Sequence, residues 1–153
     1  MYIPDSIDLL LLKQLQKNAR ITIKELANII NLSNTPVHER VKKLEKNGYI
    51  TKHVALLDRN LLGKKLIVFC NIKLKEHTME IGKQFVKDIT SLKQVTECYN
   101  ISGDFDFLLK VMVNDMEAYQ DFVLNHLGSV KNVGSAHSTF VMGEIKNTTE
   151  IPI

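Results

Sequence analysis

No apolar run in the sequence approaches the roughly 20 residues that a membrane-spanning helix needs; a long one, IDLLLL from Ile7 to Leu12, is interrupted by Asp8. The first ten residues, MYIPDSIDLL, carry neither the basic n-region nor the small-residue cleavage site of a secretory signal. A cytoplasmic protein with no membrane partner is expected. Cysteine is scarce: Cys70 and Cys98 sit in apolar, strand-like runs, without C-x-x-C spacing or adjacent histidines. In a reducing compartment two buried thiols are expected rather than a disulfide. The five histidines, His38, His53, His77, His126 and His137, are dispersed, with no H-E-x-x-H and no paired metal spacing. P-loop and G-x-S-x-G motifs are missing as well. The expectation is therefore no metal site, no cofactor, no catalytic residues and no enzyme.

What the chain does have is the composition of a soluble globular protein, 44% hydrophobic and 24% charged over 153 residues, enough for one ordinary domain or two small ones. The net charge of +3 conceals an asymmetry. Through Lys64 there are 11 Lys and Arg against 6 Asp and Glu, and beyond it 9 against 11, a balance of +5 and −2. A basic module joined to a slightly acidic one is implied.

The basic part reads as three helices. Ile7, Leu10, Leu11 and Leu15 form one helical stripe, with Asp5 and Asp8 near its start, where negative charge suits the helix dipole. Thr22 and Glu25 are spaced as a capping box ahead of Leu26, Ile29 and Ile30. After the break at NLS, Ser33 can cap a third helix whose first turn tolerates Pro36, and Asn47-Gly48 is its stop signal. Val37, Val41 and Leu44 stripe one side of it, while Arg40, Lys42, Lys43 and Lys46 project elsewhere. YITKHVALL then looks like a strand or wing, and DRNLLGKK, Asp58 to Lys65, is the best candidate for a boundary. The expected division is 1–55, a linker over 56–65, and 66–153.

Beyond the linker, LIVFCNIKL reads as a strand, 78–92 as a helix with Ile81, Phe85, Ile89 and Leu92 on one face, and VTECYNI as a strand. The order repeats with FDFLLKVMV, a helix over 114–127 aligning Met116, Tyr119, Val123 and Leu127, and VGSAHSTFVM; Asn114 and Glu117 offer a cap-like pair. Two such units give the ferredoxin-like βαββαβ arrangement, with both helices on one face of a four-stranded antiparallel sheet. The strands are apolar on both faces: Leu66, Val68, Cys70 and Ile72 oppose Ile67 and Phe69, and Leu108 and Met112 oppose Phe107, Leu109 and Val111. A second copy of the chain is expected to cover the open face, in at least a dimer; the alternative is twist with loop coverage.

Helix, short helix, tight turn and basic helix describe a helix-turn-helix that could enter the major groove of double-stranded DNA. The start of the last helix, with Asn34, Thr35, Val37 and His38, would meet base edges, while Arg40, Lys42, Lys43 and Lys52 would meet phosphates. A merely solubilising role for these cations is the alternative. Glu39 runs against the pattern; it would read a cytosine amino group or orient Arg40.

These residues carry a specific resemblance. IDLLLLKQLQKNARITIKELANIINLSNTPVHERVKKLEKNGYI followed by DRNLLGKK resembles the DNA-binding half of the Lrp/AsnC (feast/famine) transcription regulators, and YNISGDFDFLLKVMV with VGSAHSTFVMGEIK resembles the family's amino-acid-sensing half. The markers include Asp8, Asn18-Ala19-Arg20, Glu25-Leu26-Ala27, Leu32-Ser33, Arg40-Val41, Gly48, Gly63, and Gly103 with Asp106. The resemblance implies an α+β chain, an N-terminal winged helix-turn-helix domain plus a C-terminal ACT-like βαββαβ domain. DNA contacts would come from the turn and helix start, Ser33 to His38 including Pro36, with the cations above. Homodimers would assemble further, to octamers or other assemblies of dimers, and an amino acid effector would sit between dimers.

The turn around SGDFD would hold that effector, flanked by Tyr99, Asn100 and Ile101 and by the last strand. On chemistry alone, Gly103 frees backbone N–H groups to approach a carboxylate, and Asp104 or Asp106 could meet an ammonium; a plain hairpin turn is the alternative. Ser138 matches a hydroxyl position of the family's last strand, whereas Ala136 stands where another common threonine falls. His137 is either a ligand contact or part of an assembly surface. Sirohaem decarboxylases share the two-domain plan, so fold alone leaves a tetrapyrrole enzyme as the alternative function.

Overall fold

The computed structural model describes residues 2–153. Close contacts divide it into two units, one formed by residues up to Leu56 together with Lys146–Ile153, the other by Leu57–Ile145.

The first unit holds helices α1 (Ser6–Lys17), α2 (Ile23–Ile30) and α3 (Asn34–Lys46). Each helix begins at a polar cap. Asp5 and Asp8 form a reciprocal capping box on α1, and Thr22 and Glu25 form the expected one on α2. Ser33 does occupy the cap position of α3, but its side chain makes no capping bond. At the other end of α3, Gly48 takes a left-handed φ of 77°, a conformation that suits glycine, and Tyr49 N–H returns to Leu44 O. Leu11, Leu26, Ala27, Val37, Val41 and Leu44 form the core. A fully buried Leu or Val of this kind contributes about 1.5–3 kcal/mol relative to an exposed one. Leu10 and Ile29, expected in the stripes, are exposed instead.

The strand expected in YITKHVALL does not form. Residues 51–58 are irregular and exposed throughout. A strand needs a neighbour to take its backbone donors and acceptors, and among the described residues this unit has no other strand.

The second unit runs β1 (Leu66–Leu74), α4 (Met79–Thr90), β2 (Val95–Asn100), β3 (Phe107–Val113), α5 (Met116–Asp121) and β4 (Val133–Phe140). Its sheet has the order β2-β3-β1-β4, antiparallel throughout, the ferredoxin-like topology expected from the sequence. Phe85 and Ile89 of α4, with Tyr119 and Phe122, pack on Val68, Cys70, Ile72, Leu109 and Val111. Asp115, not Asn114, caps α5 by accepting Ala118 N–H at 2.9 Å. The helix then widens into a π turn over Phe122–His126 and tightens to a 3₁₀ turn over Leu127–Ser129. Tyr119, Phe122 and Leu127 are the buried residues, while Met116 of the expected stripe is exposed. The connection after Leu57 is pinned by Arg59, which donates to Lys64 O and Lys65 O, both at 3.1 Å.

Candidate functional site

The turn between α2 and α3 is short because Asn31 adopts a left-handed φ of 54°, letting Leu32 N–H reach back to Ala27 O at 3.0 Å. It delivers Ser33, Asn34, Thr35, Pro36 and His38 to solvent at the start of α3. Val37 does not join them. Its side chain is 0% exposed, one of the residues holding α3 to α1 and α2, so it reads no base edge. Glu39 lies 4.0 Å from His38 Nδ1, with both side chains largely exposed, and does not orient Arg40 as one reading had it.

The cations divide by environment. Lys42 and Lys52 are exposed and, among the described residues, make no ion pair. Lys43 lies over the Tyr2 ring, 4.0 Å from its centroid, a cation–π contact. Arg40 is taken up by acids: Nη1 reaches Asp5 Oδ2 at 2.7 Å and Asp8 Oδ1 at 2.8 Å. Asp8 is fully buried and also accepts bonds from the Tyr2 hydroxyl and the Asp5 N–H. Burial pushes the Asp8 carboxyl up, but the bonds from Tyr2, Arg40 and the Asp5 backbone outweigh it and hold it below the usual carboxylate range. Asp5 is likewise lowered, by the Asp8 N–H and then by Arg40. The Asp8 hydrogen bond pushes the Tyr2 hydroxyl up to about 12. Sequence reasoning gave Asp5 and Asp8 only a dipole role. The missed signal was Asp8 three residues before Leu11 and seven before Leu15, inside the apolar stripe, where a carboxylate needs a cation.

In the second unit the turn from Ile101 to Asp106 joins β2 to β3. Ile101 N–H and the Asn100 carboxamide both donate to Asp106 O, at 3.0 and 2.9 Å. Gly103 has φ 111°, and a Cβ there would meet nothing within 4 Å, so the turn's apex is open. Asp104 is exposed and, among the described residues, its carboxylate has no partner. Asp106 is engaged: Oδ2 accepts Leu74 N–H at 2.7 Å and Oδ1 lies 3.1 Å from His77 Nε2. Of the two acids offered for an ammonium, Asp104 is therefore the available one.

Tyr99, Leu108, Asn71 and His137 form one rung across all four strands on the open face. His137 lies beside the turn, its ring centroid 6.3 Å from that of Phe105. The Tyr99 hydroxyl donates to Glu97 at 2.7 Å, and Lys110 pairs with the same carboxylate at 2.9 Å. Ser138 is on the other face. Paired with Cys70 in the ladder, it meets the Tyr119 hydroxyl at 2.6 Å, and that hydroxyl lies 3.0 Å from Cys70 Sγ. Burial pushes the Cys70 thiol and the Tyr119 hydroxyl up. Alternation along β4 separates Ser138 from His137, so Ser138 does not share the open face with His137 and Tyr99. His77 and Phe105, which do border the turn, were not singled out from the sequence.

A trihelical domain with an exposed helix start, joined to a ferredoxin-like domain with an open glycine turn, defines a helix-turn-helix regulator with a separate ligand-binding module. Residues 4–51 match the winged helix-turn-helix DNA-binding family and 67–151 match the Lrp/AsnC ligand binding domain. The leucine-responsive regulatory proteins of Klebsiella pneumoniae and Escherichia coli are each 38% identical over 97% of this chain and 91% of their own length. Among solved structures, a Neisseria meningitidis transcriptional regulator in complex with L-Met is similar with a TM-score of 0.94 at 33% identity, covering 98% of this chain and 97% of its own. An AsnC family regulator from Agrobacterium tumefaciens gives 0.93 at 36%, covering 97% of each chain, and Escherichia coli AsnC 0.91 at 28%, covering 99% and 100%. The chain belongs to the Lrp/AsnC family and is a DNA-binding transcription regulator.

Proposed function

We propose that the chain is a sequence-specific cytoplasmic regulator, acting without catalysis, whose assembly on DNA is set by a small amino acid. The helical unit up to Leu56 binds DNA, and the sheet unit, Leu57–Ile145, binds the effector and assembles dimers into a higher oligomer such as an octamer; the last eight residues, expected within a 66–153 domain, go with the helical unit. Asn34, Thr35 and His38 face base edges, while Lys42, Lys43 and Lys52 meet phosphates. The observation that carries the effector reading is the open, left-handed turn at Gly103 beside the unpartnered Asp104 carboxylate. Bare N–H groups there suit an α-carboxylate, and Asp104 suits the ammonium. The L-Met complex of the Neisseria regulator supports an amino acid as the ligand class. An effector changes assembly only by binding one arrangement better than another.

A thermal-shift screen of the twenty amino acids, run with light scattering, tests this. At least one amino acid is expected to raise the melting temperature and change the particle size, and Gly103→Val is expected to abolish both effects. A Gly103→Val protein with an unchanged response would sink the turn's assignment.

A further inference from the structure

Arg40 stands apart from the other cations of α3 in where its charge goes. Its guanidinium, Asp5 and Asp8 together carry a net charge of −1, and both carboxyls are held in the ionised form. A phosphate approaching this cluster meets repulsion rather than an idle cation. Drawing Arg40 away would also strand Asp8, which is fully buried, as an uncompensated charge. Leu11 of α1 is buried in one cluster with Val37, Val41 and Leu44 of α3, and apolar contact of this kind is non-directional. Two charge-assisted hydrogen bonds at 2.7 and 2.8 Å are directional. They tie the middle of α3 to the N-terminal cap of α1, six positions after Asn34, where the exposed helix start begins.

We infer that Arg40 is a positioning residue: by spanning Asp5 and Asp8 it fixes the rotation of α3 against α1, and so the aim of Asn34, Thr35 and His38, instead of neutralising a phosphate. This rests on α3 being the element that enters DNA. Aim matters for base edges and little for phosphates, which line the groove in any sequence. Loss of Arg40 therefore lowers affinity for a preferred duplex while sparing affinity for an arbitrary one. Charge alone does not substitute: both bonds come from the single Nη1, and a lysine Nζ, one bond nearer the backbone and without the planar group that aims Nη1, does not reach the same point between the two carboxylates.

The test uses the full-length protein and two duplexes, one selected by the wild type from a random pool and one scrambled, titrated by fluorescence anisotropy over a range of salt. Arg40→Met and Arg40→Lys are both expected to lose about tenfold in affinity for the selected duplex and less than about twofold for the scrambled one, with an unchanged salt slope. Lys42→Met, the phosphate control, is expected to weaken both duplexes and to reduce the slope by about one. Asp8→Asn is expected to reproduce the Arg40→Met loss, and the double variant to add little to it, because the two act as one unit. If Arg40→Met behaves like Lys42→Met, or if Arg40→Lys retains full selectivity, the inference is overturned. A lower melting temperature for Arg40→Lys with no change in selectivity would make the contact purely structural and would also overturn it. Wild-type protein whose affinity is indifferent to salt would instead bring down the DNA reading itself, and the inference with it.

Discussion

The carboxylate of Asp106 accepts the backbone N–H of Leu74 at 2.7 Å. The β1–β4 register shifts between Lys73 and Leu74, and Asp106 meets the chain at that irregularity. Asp106→Ala leaves this donor without its partner, which costs about 1–3 kcal/mol for a buried group. Asp106→Asn keeps an acceptor oxygen and should recover most of the loss. Denaturant unfolding followed by tryptophan-independent circular dichroism will separate the two variants.

Acid should loosen the DNA-binding unit. Asp5 and Asp8 both titrate below the ordinary aspartate value of 3.8, so each favours the folded state when ionised. That stability is fully present above pH 3.8 and is lost as pH falls through the lower folded values. Melting temperature recorded from near neutrality downward should hold until this window and then drop. Asp8→Asn should start lower and drop less steeply, since one of the two linked protons is gone.

Exposed cations and exposed helix-start residues should separate in binding assays. Lys52→Met, like Lys42→Met, should weaken all duplexes and flatten the dependence on salt by about one released counterion. Thr35→Ala and His38→Ala should leave that slope alone and shift the ranking of duplexes, by about 1–3 kcal/mol for a good base contact. Competition binding against a panel of duplexes, repeated at two salt concentrations, reads both effects.

Tyr119→Phe should destabilise the second unit more than its single missing oxygen suggests. The hydroxyl bridges Cys70 at 3.0 Å and Ser138 at 2.6 Å, and its removal strands both. Ser138→Ala in the Tyr119→Phe background removes one of the stranded groups and should restore part of the loss, so the double variant costs less than the sum of the singles. A double-mutant cycle from equilibrium unfolding measures the coupling.

Most of the fold was legible because helix and strand periods differ and because polar caps mark helix starts. Thr22 with Glu25, and the alternation of LIVFCNIKL, each settle an element from a few residues. The site was less legible because function depends on which way a side chain points once neighbours compete for it. Arg40 resembles its basic neighbours in sequence, and only the packing of α1 shows that two acids hold it. Ser138 and His137 are adjacent in sequence yet belong to opposite faces, and their functional separation follows from the register of β4 on β1. Residues 51–58 have strand-like composition, but composition cannot supply the second strand that pairing requires.

The π turn after α5 has a consequence for chain length. Tyr119 and Phe122 are three residues apart, Phe122 and Leu127 five, and the wide turn absorbs the difference, with Leu127 N–H reaching back to Phe122 O. The segment thus contains one residue more than a regular α-helix would use to bring the same two apolar side chains to the sheet. Leu124 and Asn125 are the exposed residues within it. At this place, and unlike a strand where a single deletion reverses every side chain, removal of one residue returns the turn to regular α-helical spacing with Phe122 and Leu127 still on the sheet side, so the wide turn is a built-in allowance for deletion.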